Sequence, residues 1–190
     1  MLERIIEIDT ELLIFLNGLG GEGWDGFWMF MTTSITSLPV YVIAAFIVYK
    51  NYGVKKMLFS LLFLAILITF SDQLANLFKY GFGRLRPCHD ETVQGLIRLV
   101  KPTCGGKYSF FSAHASTSIA IVVFFSLLIR KQVKYFALFL IVWSLFVGYS
   151  RIYIGVHFPF DVLFGFLIGT IIGILVYKLF ILFLNRFVSN

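Results

Sequence analysis

The chain is 190 residues long, 59% hydrophobic and only 14% charged, with 23 phenylalanines. A soluble domain is nearer half apolar and a quarter charged, so these totals exclude an ordinary water-soluble fold. The net charge of +6 forms no long Lys/Arg tract and falls between apolar runs, which argues against nucleic acid and for membrane orientation and an anionic ligand.

The first element, Leu2 to Leu16, places apolar residues at Leu2, Ile5, Ile6, Leu12, Leu13 and Leu16, interrupted by Glu3, Glu7 and Glu11. It is too short and too charged to span, and reads as an amphipathic helix on the membrane surface. It also lacks the basic start and small-residue cleavage site of a signal peptide. GLGGEG at 18–23 ends it. Five candidate spans follow, at roughly 24–49, 56–78, 113–130, 133–150 and 159–185, each near the ~20 residues a bilayer demands. Pro39 is expected to kink the first, and Trp24, Trp28 and Trp143 read as interface anchors. The expected fold is all-α and integral to the membrane. It has five or six transmembrane helices in a bundle plus the N-terminal interfacial helix, as one domain over 1–190.

Short loops orient the bundle. Lys50, Lys55 and Lys56 lie between the first two spans, Arg130, Lys131 and Lys134 between the third and fourth, and Arg186 at the end of the fifth. Five spans put these on one side, which the positive-inside rule makes cytoplasmic. The other side then holds the acidic first helix, the long polar 81–111 connection and the junction SRIYIGVHFPFD at 150–161.

Three polar clusters meet on that side. KYGFGRLRP ends the second span with Lys79, Arg84, Arg86 and Pro87; taken alone, it also fits a headgroup anchor. FFSAHAS opens the third span. There Ser112 can cap the helix, and Ala113 and His114 occupy positions whose backbone N–H groups have no intrahelical partner, an anion site or an ordinary cap. In SRIYIGVHFPFD, Pro159 suits the first helical position, so Asp161 falls in the first turn and can reach back to His157. Such a bond fixes the imidazole tautomer and leaves the other nitrogen free to attack. Phosphoryl transfer needs equatorial charge neutralised, an aligned nucleophile and an acid opposite it. Lys79, Arg86 and Arg151 supply cations, two histidines can flank phosphorus, and the chain offers no metal cage, so no cofactor is expected.

Six residues separate Lys79 from Arg86-Pro87, Ser112-Ala113-His114 follows, and five residues separate Ser150-Arg151 from His157, with three more between His157 and Asp161. This pattern resembles the three-part signature of the type 2 phosphatidic acid phosphatase (PAP2) superfamily, membrane lipid phosphatases related to vanadium haloperoxidases. The resemblance covers residues 79–161. It implies that His157 attacks phosphorus to form a phosphohistidine, that Asp161 orients it, and that His114 protonates the leaving group and later activates water. Lys79, Arg86, Arg151, Ser112 and the Ala113 amide would bind the phosphoryl oxygens, with Arg84 a further candidate. Phe111 and Ala113 stand where the family usually has Pro and Gly; the Ala113 amide serves only if the backbone needs no positive φ there.

Other polar residues have two readings each. Cys88 and Cys104, with His89 and Asp90 beside the first, fit a zinc cluster poorly and a disulfide better on an oxidising face. Asp72, Asn76 and Lys79 share one helix face, either positioning Lys79 or packing deep in the bundle.

The expected partner is a lipid phosphate or diphosphate within the bilayer, at the outer face of a bacterial inner membrane. Undecaprenyl diphosphate is the leading substrate, with phosphatidylglycerophosphate, phosphatidate and lipid A phosphates as alternatives. A non-catalytic lipid-phosphate binder or transporter is the reading from another class. Oligomeric state leaves no mark on the sequence.

Overall fold

Apolar stretches separated by Gly, Pro and charged residues give six α-helices in the computed structural model, which describes residues 2–188. Met1, Ser189 and Asn190, the ends of the expected 1–190 domain, lie outside them. The helices are α1 (Leu2–Gly18), α2 (Glu22–Thr32), α3 (Leu38–Phe82), α4 (Ala113–Ile129), α5 (Lys134–Tyr153) and α6 (Pro159–Phe187). The expected all-α membrane bundle is present. The helical runs Ser34–Phe82, Lys134–Tyr153 and Pro159–Phe187 are each long and apolar enough to cross a bilayer, while Ala113–Ile129 is shorter.

Two expectations need correction. The first span is not one helix over 24–49: α2 stops at Thr32, a 3₁₀ turn occupies Ser34–Ser37, and α3 starts at Leu38. The cause is local hydroxyl chemistry, because Thr33 Oγ1 donates to Met29 O at 2.8 Å and Thr36 Oγ1 to Phe30 O at 2.6 Å. Such bonds compete with the helical ladder. Pro39 therefore does not kink a helix interior. It sits in the first turn of α3, where a missing N–H costs nothing.

The second correction concerns 50–55, expected as a loop. No coil separates the two spans; two helical legs meet directly at Gly53, whose φ of 82° is open to glycine and strained for other residues. The chain reverses there. Tyr52 Oη donates to Leu128 O at the far end of α4, whereas Ser71 Oγ lies 2.9 Å from Ser116 Oγ near its start. The leg 38–52 thus runs away from one face and the leg 54–82 returns to it.

Helix α4 is the centre of the bundle. Ile119, Ala120, Ile121, Val122, Phe124 and Phe125 are all buried, so it is covered on every side. Lipid tails are as apolar as these side chains, so close packing rather than the hydrophobic effect joins helices here. Gly165, Gly169 and Gly173 of α6 form one stripe against the α4 backbone; a Cβ at Gly165 would lie 2.8 Å from Ser112 O, and one at Gly173 2.7 Å from Ala120 O. That contact sets the start of α4 beside the start of α6.

Helix α1 docks at the same face with its polarity reversed. Its buried stripe is Asp9, Leu13 and Asn17, while Ile5, Ile6, Leu12 and Phe15 face outward. Of the three tryptophans, only Trp24 stays largely exposed. Trp28 packs on Tyr149 and Tyr153, and Trp143 Nε1 donates to Ser37 Oγ at 3.1 Å inside the bundle.

Candidate active site at the helix ends

Four helix ends meet at one face. Gly83, with φ 64°, caps α3 through its N–H to Lys79 O at 3.0 Å, which leaves the Lys79 side chain in the last turn. Ser112 caps α4, its Oγ accepting from Ala115 N at 3.4 Å, and its own N–H donates to Asp161 O at 3.0 Å. That second bond ties the start of α4 directly to the first turn of α6. Ala113 begins α4, and among the described residues no non-glycine has positive φ, so the requirement placed on Ala113 does not arise. The Ala113 and His114 amides take no partner among the described residues, as expected of a helix N-terminus.

The junction between α5 and α6 turns at Gly155, whose φ is 78°; a Cβ there would lie 2.6 Å from Arg98 O. Beyond the turn, His157 is 1% exposed and Asp161 fully buried. Asp161 Oδ2 accepts from Phe158 N at 3.0 Å and stands 3.5 Å from His157 Nδ1. That separation is too long for a hydrogen bond, so Nδ1 is unpaired in this state. Catalytic hydrogen bonds often tighten only once substrate is bound. Burial, with Arg151, Arg86, Lys79 and Arg84 around it, holds the His157 pKa well below its ordinary value, so the imidazole is neutral.

The expected cations converge on this imidazole. His157 and His114 both lie within coulombic range of Arg151, Arg86 and Lys79, and of one another. Arg151 is 4% exposed; it donates to Thr32 Oγ1, and its Nε has no partner. Arg86 is held by the 81–111 connection, its Nη1 donating to Cys104 O at 2.7 Å and its Nε to Tyr108 O at 3.3 Å. Cys88 and Cys104 are joined by a disulfide, with Cα atoms 5.9 Å apart, so the bridge braces the carbonyl that aims Arg86. Among the described residues no three His, Cys, Asp or Glu side chains are grouped so that they could hold a metal ion.

Arg84 is placed differently from its neighbours. Its Nη1 donates to Asp161 Oδ1 at 2.9 Å and its Nη2 to Asp9 Oδ2 at 2.7 Å, with the guanidinium 3.9 Å from the Phe158 ring centre. Both prongs of the fork are spent on carboxylates. Asp72 pairs with Asn76 at 3.2 Å and faces a cavity of about 340 Å³ beside His114, which Thr32, Ser37, Ala113 and Thr117 also line. The interrupted first span forms one wall of that cavity. Irregular backbone at membrane depth is tolerated where it lines such a space.

The sequence reading missed Asp9, Asn17 and Thr32. The first two had a signal, since Asp9, Leu13 and Asn17 recur every four residues on the helix side away from the outward-facing apolar set. Thr32 had none, because its role depends on where α2 stops.

The PAP2 superfamily model matches residues 53–183, a stretch that contains all three polar clusters. The chain belongs to the PAP2 superfamily. Two curated relatives resemble it over most of their length. A protein named lipid A 4'-phosphatase from Bacteroides thetaiotaomicron is 35% identical over 179 residues, covering 93% of this chain and 79% of the relative. Another of that name, from Porphyromonas gingivalis, is 31% identical over 191 residues, covering 99% and 79%. Among solved structures, that of Aquifex aeolicus LpxE superposes with a TM-score of 0.67 at 25% identity, covering 88% of this chain and 93% of that one. A transmembrane PAP2-type phosphatidylglycerolphosphate phosphatase from Bacillus subtilis shares the fold, with a TM-score of 0.71 at 21% identity over 98% and 89%. This PAP2 protein is therefore an integral membrane lipid phosphatase by family.

Proposed function

We propose that this protein removes a phosphate ester from a lipid A-type glycolipid at the outer face of a bacterial inner membrane. The observation that carries the substrate is the near-full-length similarity to two lipid A 4'-phosphatases. Undecaprenyl diphosphate, the leading substrate from the sequence, gives way to it. The undecaprenyl-diphosphatase of Sulfolobus acidocaldarius matches over only 54% of this chain and 46% of its own length. Similarity of that extent leaves about half of each chain unmatched.

In the proposed reaction, His157 Nε2 attacks phosphorus while Asp161 steadies the Nδ1 side. The bond from phosphorus to the sugar oxygen breaks, and His114 gives that oxygen its proton. Water then attacks the phosphohistidine, His114 takes the water proton back, and the N–P bond breaks to release phosphate. Lys79, Arg86 and Arg151 neutralise the equatorial oxygens throughout, assisted by Ser112 and the Ala113 amide. The lipid-side part of the substrate enters the cavity beside His114. With the site outward, Lys56, Arg130 and Lys131 gather around one cavity at the opposite, cytoplasmic end.

The deciding experiment compares phosphate release by the purified protein from lipid A, undecaprenyl diphosphate and phosphatidylglycerophosphate in mixed micelles. Each substrate is run with and without added magnesium. Lipid A carrying only a 4'-phosphate is expected to turn over fastest, and His157→Ala to abolish release. Faster release from undecaprenyl diphosphate would overturn the substrate. Release by His157→Ala at the wild-type rate would overturn the mechanism.

A further inference from the structure

Asp9 is a buried carboxylate on a helix outside the three sequence clusters. It is 1% exposed, and its two oxygens go to different places: Oδ1 accepts from Phe160 N at 2.8 Å, and Oδ2 from Arg84 Nη2 at 2.7 Å. Phe160 is the second residue of α6, so Asp9 satisfies a backbone N–H that the helix cannot bond itself. Arg84 passes the contact on, since its other prong holds Asp161 Oδ1, whose partner oxygen faces His157. Eight residues along α1, Asn17 does the complementary job at the end of α5. Its Nδ2 donates to Tyr153 O at 2.7 Å and to Arg98 O at 3.0 Å, and its Oδ1 accepts from Arg98 N at 2.7 Å. A carboxylate meets the N–H end of α6 and an amide N–H₂ the carbonyl end of α5, as each terminus requires.

We infer that α1 is a clamp on the α5–α6 junction, and that Asp9 is a positioning residue that sets His157 through Arg84 and Asp161. The inference rests on the proposed role of His157, and it assigns Arg84 to the carboxylates rather than to substrate. Its reasoning is geometric. A planar fork bridging two carboxylates fixes both, whereas an Arg84 held by Asp161 alone can swing about that contact and draw Oδ1 away from the junction. Charge works in the same direction. His157 faces Arg151 of α5, Arg84 and Arg86 of the 81–111 connection, Lys79 of α3, His114 of α4 and Asp161 of α6. Asp9 offsets one of these cations, and its removal leaves the nucleophile in a more positive setting.

The test uses full-length protein, on whichever lipid phosphate the wild type hydrolyses, with Asp9→Asn, Arg84→Gln, the double variant and Asn17→Ala. Asp9→Asn is expected to lower kcat by about tenfold or more with little change in KM, as for outer partners of other oriented imidazoles. The acid limb of its kcat/KM profile moves to lower pH, because losing a negative charge makes the imidazolium less stable. Asn17→Ala loosens the same helix without removing a charge and leaves that limb in place. The double variant is no slower than the slower single variant, since Asp9 acts through Arg84. Arg84→Lys keeps the charge but not the fork, and guards against a misfolded Asp9 variant by losing kcat as Arg84→Gln does. Hydrogen exchange at Phe158, Phe160 and Asp161, faster in Asp9→Asn, reads the clamp without any substrate. An inactive wild type would overturn the proposed function and leave that exchange readout standing. Additive losses, an unmoved acid limb or unchanged exchange in Asp9→Asn would overturn the clamp.

Discussion

Replacing Gly169 by alanine adds one methyl group where α6 crosses α4. The new Cβ would run into Ser116 O, stand 2.5 Å from Ile119 Cγ2 and 2.8 Å from Ser116 C. An ordinary carbon contact begins near 3.5 Å, so the two helices must part by about 1 Å. Overpacking of this kind costs about 1–3 kcal/mol, against which alanine regains about 1 kcal/mol of helix propensity. The net effect on stability is therefore modest, about 0–2 kcal/mol of destabilisation. The effect on turnover is larger. Ser116 lies two residues from His114, and α6 carries Asp161, so the same displacement separates the two sides of the site. A misplacement of 1 Å costs on the order of 100-fold in rate. Gly26→Ala is the matched control, because nothing lies within 4 Å of its added Cβ. Thermal unfolding in detergent and phosphate release from the preferred lipid are measured on both variants. The expectation is a near-normal Tm with about 100-fold lower kcat for Gly169→Ala, and unchanged kcat with equal or higher Tm for Gly26→Ala. Gly169→Ala turning over within twofold of wild type would refute the view that this helix contact sets the site.

Two further outcomes follow from the site itself. As the proposed nucleophile, His157 must be neutral to attack, and its folded pKa lies below the ordinary value, so the acid limb of kcat/KM is expected below about pH 6.5; a limb at or above that value contradicts a nucleophile held neutral by burial and cations. Cys88→Ser opens the loop that presents Cys104 O to Arg86, and should cost about 3 kcal/mol of stability together with a raised KM. Thermal melts and initial rates under oxidising conditions measure both, and equal values for wild type and variant would remove the brace.

Much of this was legible because the candidate site residues lie at helix ends. Lys79, His114, His157 and Asp161 each sit within a turn of a terminus that Gly, Ser or Pro marks in the sequence. Periodicity placed α4, α5 and α6 to within about three residues. It failed at 24–49, where the apolar run is continuous enough for one span but Thr33 and Thr36 divert the backbone. At 50–55 the turn between the first two spans was placed correctly but drawn too long, because a single glycine suffices for it. Arg84 illustrates a different limit. Sequence places it beside Arg86 but cannot say which anion a guanidinium faces, and its partner Asp9 lies 75 residues away on a helix that the motifs never mention.

The two arginines show how one loop divides its labour by partner. Arg84 meets carboxylates at both ends of its fork, and only part of it remains exposed. Arg86 meets only backbone carbonyls, which leave its charge uncompensated by any carboxylate bond. Arg151 likewise meets a neutral hydroxyl and keeps an unpaired Nε. Burying a cation without a counter-ion is costly, so Arg86 and Arg151 hold a standing demand for an anion that Arg84 does not share. The proposed phosphate, arriving between them, would meet that demand, and its affinity would include relief of the desolvation the fold has already imposed. Charge-conserving exchanges should therefore separate the two kinds of arginine in an orthovanadate titration. Arg151→Lys should weaken vanadate inhibition by at least tenfold, because the fork that meets the oxyanion is lost. Arg84→Lys should leave it within about threefold while still lowering kcat. Equal weakening by both would place Arg84 on the phosphate after all.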